Sequence, residues 1–172
     1  MSEDSLGLQT TIELIAGHHP NGEIIAERVL VAPQQQPNSF LLLKSPLFVR
    51  GIASGDVIQQ MEKPKGAFKV LRHGGNLCVR VFSKNSNDAF EQTLSGEIEK
   101  LGGDVDIREP RALVYSIHVS CGFDAVEKLL NQALDGQPEC GWVYGNVYDP
   151  ENGELLNQVR KNTLSVLGLA KA

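Results

Sequence analysis

The stretch Lys44-Ser45-Pro46-Leu47-Phe48-Val49-Arg50-Gly51-Ile52-Ala53-Ser54-Gly55-Asp56-Val57-Ile58 decides how this chain is organised. An apolar run, Leu47 to Val49, leads to a Gly-x-x-x-Gly-Asp bend, and a second apolar run starts at Val57. Gly51 and Gly55 allow backbone angles closed to other residues. Asp56 can accept hydrogen bonds from the amides of the bend. The segment therefore reads as two short strands joined by a tight bend.

Working outward, the first half is strand-like. Thr10 to Ala16 and Glu23 to Ala32 flank His18-His19-Pro20-Asn21-Gly22, a turn signal, and predict a hairpin. Phe40 to Leu43, Val57 to Met61 and Ala67 to Leu71 add short strands separated by polar turns. Many short strands with frequent turns predict a small antiparallel β-barrel-like unit over residues 8–73. His73-Gly74-Gly75-Asn76 breaks the pattern.

The second half changes rhythm. Leu77 to Phe82 alternates as a strand, and Asp88-x-x-Glu91 resembles a capping box. Phe90, Leu94, Ile98 and Leu101 form a helical stripe that stops at Gly102-Gly103. Val105 to Ile107 and Arg111 to Val119 are strands, the latter with Leu113, Tyr115, Ile117 and Val119 on one face. Asp124-x-x-Glu127 opens a second helix ending at Gly136, and Trp142 to Val147 is a last strand. The order β-α-β-β-α-β predicts a ferredoxin-like sandwich over residues 76–148. Beyond Asp149-Pro150, apolar residues at helical spacing (Leu155, Leu156, Val159, Val166, Leu167) predict an amphipathic C-terminal helix over 150–170. Its apolar face is expected to pack within the chain or to form a homodimer contact. The whole is an α+β protein.

The bend and two other pieces carry a family resemblance. Pro46, Phe48, Gly51, Ile52, Ala53, Gly55 and Asp56, then His73-Gly74-Gly75, then Trp142-Val143-Tyr144-Gly145, resemble a family of uncharacterised bacterial proteins, the domain of unknown function numbered 4265. The resemblance spans about residues 10 to 148. It implies no reaction.

Composition narrows the classes. The 172 residues are 41% hydrophobic and 22% charged, which suits a packed core rather than global disorder. The formal net charge of -5 leaves no basic surplus for nucleic-acid phosphates, so no nucleic-acid partner is expected. No apolar run reaches membrane-spanning length and the N-terminus does not read as a secretory signal. With three cysteines, an odd count, the expectation is a cytoplasmic protein with reduced thiols.

No complete catalytic set stands out. His118 and Cys121 have a ligand-like gap but no second pair at zinc spacing, so neither metal nor cofactor is expected. The leading reading is a module that binds a small molecule or a protein partner in a cleft between the two parts, with Arg50, Asp56, Arg72 and His73 near it. The alternative is a small hydrolase or isomerase using Asp56 and a histidine as an acid–base pair. The plainer reading of Asp56 is a turn carboxylate capping its own bend.

Overall fold

A computed structural model of the chain describes residues 8–147. The predicted helix over 150–170 lies outside them. The fold is α+β, built on two antiparallel sheets.

The first sheet is a meander of five strands: β1 (Thr10–His18), β2 (Ile24–Pro33), β3 (Ser39–Leu42), β4 (Val57–Gln60) and β5 (Phe68–Arg72). Each pairs with its chain neighbour, as short turns dictate. Alternation puts Leu14, Val29, Val31, Leu42 and Ile58 into one core. The sheet curls around that core but does not close into a barrel. β1 and β5 are its two edges, and the gap between them is crossed at one point, where the Ile15 amide donates to the Gly66 carbonyl at 2.9 Å. Val49 and Ile52, from the β3–β4 connection, complete the core instead. The loop thus fills the core that the open sheet leaves uncovered.

The second sheet has the order β7-β8-β6-β9, from β6 (Asn76–Ser83), β7 (Asp104–Glu109), β8 (Ala112–His118) and β9 (Cys140–Tyr144). Helices α1 (Glu91–Lys100) and α2 (Phe123–Ala133) connect β6 to β7 and β8 to β9. Phe90, Leu94 and Ile98 from the first helical segment, and Val126 and Leu130 from the second, share a core with Leu113, Tyr115, Ile117, Trp142 and Tyr144. Polar fasteners hold this layer: the Tyr144 hydroxyl donates to Glu127 at 3.0 Å, and the Trp142 indole donates to Asn131 at 3.0 Å. Burial and the neighbouring Glu127 carboxylate both push the Tyr144 phenol upward, so it stays a donor.

Some local expectations differ. Neither helix uses the predicted capping box: no side chain caps α1, whose Glu91 instead reaches Ser95 and Arg108. Glu127 is likewise drawn off to Tyr144. Val119 leaves the sheet and is exposed in a short 3-10 turn. Leu47 to Val49 is not a strand.

Candidate functional site

Residues 43–56, between β3 and β4, form a strap lying between the two sheets. Ala53 packs with Cys78 and Val114 on the face of the second sheet opposite its helices, with Leu47 and Ile107 beside them. Val49 and Ile52 point into the first core. One irregular segment thus serves two hydrophobic surfaces, which is why Leu47 to Val49 cannot alternate as a strand.

Irregular backbone in such a place must find hydrogen-bond partners. Glu27, on β2, supplies a carboxylate that accepts from three consecutive amides: Leu47 at 2.6 Å, Phe48 at 2.8 Å and Val49 at 2.8 Å. From the other sheet, the Arg80 guanidinium donates to the carbonyls of Pro46 (3.2 Å) and Val49. Arg80 is only 4% exposed. Asp106, on β7, accepts from the Ser45 amide at 2.7 Å and from the Ser116 hydroxyl through the same oxygen, Oδ2. Ser116 in turn meets the hydroxyls of Ser45 (2.6 Å) and Ser54 (2.9 Å). Burial pushes the Asp106 carboxyl above its ordinary value of 3.8, against the pull of its serine donors.

Because the folded chain binds this proton more tightly than the unfolded chain, the contribution of Asp106 to stability falls as pH rises from 3.8 through the raised value. Asp106→Asn keeps one oxygen for both donors and removes the desolvated charge. Its stability at pH 7 is expected to match or exceed wild type, with a flatter stability–pH curve in urea unfolding. A loss above about 1 kcal/mol, the net worth of one hydrogen bond, would contradict this.

Asp56 is the bend carboxylate that the plainer sequence reading describes. It is 1% exposed, and its two oxygens accept from the amides of Ala53 (3.0 Å) and Gly74 (2.8 Å). His73 Nδ1 lies 3.3 Å from Oδ2. Gly74 is required there, because a Cβ would sit 2.5 Å from the Gly55 carbonyl oxygen. Of the four predicted site residues, the structure brings Asp56 and His73 together. Arg72 is exposed opposite Val57, and Arg50 is exposed on the strap. The His73 side chain is 66% exposed, so its contact with Asp56 is screened by solvent. His73→Ala is expected to cost less than about 1 kcal/mol in thermal unfolding; a larger loss would make the imidazole a structural anchor.

Beside the strap lies a groove of about 250 Å³. Thr11, Arg28 and Leu30 from the outer face of the β1–β2 hairpin form one wall, and Lys44, Pro46 and Ile107 the other. Glu27, Val29 and Ser45 also line it. The groove bridges the two sheets, but none of Arg50, Asp56, Arg72 and His73 lines it.

Sequence reading missed Glu27, Asp106 and Arg28. Arg80 had a visible signal: a cation among Leu77, Cys78, Val79, Val81 and Phe82 on one strand. Cys78 is buried against Pro46, and burial pushes its thiol pKa up. Among the described residues no group of three or more His, Cys, Asp or Glu is placed to hold a metal ion, and no helix is long and apolar enough to cross a membrane.

Two antiparallel sheets clasped around an irregular strap define an α+β protein with its groove at the sheet junction. The chain belongs to the family described as a domain of unknown function (DUF4265), whose model matches residues 27–140. The match is shorter than the resemblance suggested: most of the β1–β2 hairpin and the Trp142–Gly145 piece fall outside it. A similar fold occurs in the crystal structure of a hypothetical protein from Neisseria gonorrhoeae, at 15% identity and a TM-score of 0.64, covering 80% of this chain and 94% of that one. No curated protein matches the chain.

Proposed function

We propose that this protein is a small-molecule-binding module whose site is the groove at the junction of the two sheets. The observation that carries this reading is the groove itself, walled by β1–β2 on one side and by the strap and β7 on the other. Binding sites favour such junctions, and its volume suits a ligand below drug size. We also read the second half as a ferredoxin-like split βαβ unit. The order β7-β8-β6-β9 and the helix residues sharing one core support that assignment.

A ligand-observed NMR screen of a small-molecule library tests the binding reading. Hits are expected to bind the full chain and to be lost in Thr11→Trp, where an indole fills the groove. A screen without hits, or hits indifferent to Thr11→Trp, would remove the groove as the site.

The acid–base reading draws on one observation, the 3.3 Å Asp56–His73 contact. It is the weaker reading, since Asp56 is only 1% exposed and its two oxygens are turned to the backbone amides of Ala53 and Gly74. A general base needs a free lone pair facing its substrate.

A further inference from the structure

We infer that the groove takes a small amphipathic anion, its charged head held by Lys44 and Arg28 and its apolar body lying along Leu30, Pro46 and Ile107. This inference rests on the groove being the binding site.

The argument comes from which charges around the groove are already engaged. The acids are. The Glu27 carboxylate is taken up by three backbone amides, and Asp106 Oδ2 by the Ser45 amide and the Ser116 hydroxyl. The cations are not. Among the described residues, neither Arg28 nor Lys44 makes an ion pair or a side-chain hydrogen bond. Glu13 faces Arg28 across the β1–β2 ladder without forming an ion pair with it.

Both cations therefore bring unspent donors to the rim of a mostly apolar groove, in a chain whose net charge is -5. A guanidinium and an ammonium next to apolar wall match a ligand with one anionic end. The apolar wall adds affinity in proportion to the surface it covers. A neutral ligand of the same shape gains the second contribution and not the first.

The test compares hexanoate with hexan-1-ol on the full chain, following the amide resonances of Thr11, Leu30 and Ile107. Hexanoate is expected to shift these signals saturably and at least tenfold more tightly than the alcohol. In the double variant Arg28→Gln/Lys44→Gln, hexanoate should weaken at least tenfold and hexan-1-ol should not change. Both substitutions are at exposed positions, and an unchanged spectrum elsewhere checks the fold. If the alcohol binds as tightly as the acid, or the double variant keeps its affinity for hexanoate, the anion assignment is wrong while the groove stands as a site. If neither probe shifts these residues while library hits remain sensitive to Thr11→Trp, the amphipathic-anion class is overturned and the binding reading survives. If those hits are missing as well, both fall together.

Discussion

Arg80→Ala is expected to destabilise the protein by about 3–4 kcal/mol in urea or thermal unfolding. Hydrogen bonds from a charged donor are each worth about 1.5–3 kcal/mol, and a buried carbonyl left unpaired costs about 1–3. The truncation leaves the buried carbonyls of Pro46 and Val49 without the guanidinium. It also empties the space between the strap and β6. Arg80→Lys should recover only part of the loss, because an ammonium is a compact donor and cannot reproduce the planar fork. A loss below about 1 kcal/mol for Arg80→Ala would mean that the strap is held by its apolar contacts and the guanidinium is incidental.

Asp56→Ala should cost about 2–3 kcal/mol, and Asp56→Asn nearly as much. The reason is the distribution of donors. One Asp56 oxygen faces the Ala53 amide and the other the Gly74 amide, so an asparagine must turn its NH2 toward one of them. Asp106 is the opposite case, with both donors on Oδ2, and there the amide fits. Chemical unfolding of the two asparagine variants side by side decides the matter. Equal behaviour would refute the placement of donors on which both expectations rest.

Much of the architecture was legible because it is periodic. The stripe of Phe90, Leu94 and Ile98 and the alternation of Leu113, Tyr115 and Ile117 each report one buried face, and all six are buried. The strap was half legible. Gly51, Gly55 and Asp56 announced a bend, and Asp56 caps it. Leu47 to Val49 read as a strand because apolarity alone does not distinguish a ladder from a plug. The deciding contacts come from Glu27, 20 residues earlier, and Arg80, 34 residues after Pro46.

Long-range hydrogen bonds leave no local pattern. The same holds for the groove, whose walls come from residues 11, 28, 30, 44, 46 and 107. No spacing rule gathers those positions. The predicted site residues were drawn from neighbours of the bend, and proximity in sequence to a conspicuous motif brought only Asp56 and His73 together.

The strap also sets where the length of this chain can vary. Between Ser45 and Asp56 the backbone is pinned at short intervals, by Asp106 at Ser45, Arg80 at Pro46, Glu27 at Leu47 to Val49, Gly145 at Gly51 and Asp56 itself at Ala53. An added residue anywhere along it would throw every later anchor out of step, against two cores at once. The β1–β2 turn carries no such constraint: His19 to Gly22 are exposed, and the turn closes on itself through the Gly22 amide and the His19 carbonyl. A peptide tag or a fluorophore loop belongs in that turn, where the chain has slack, while the strap works as a ruler whose graduations are its hydrogen bonds.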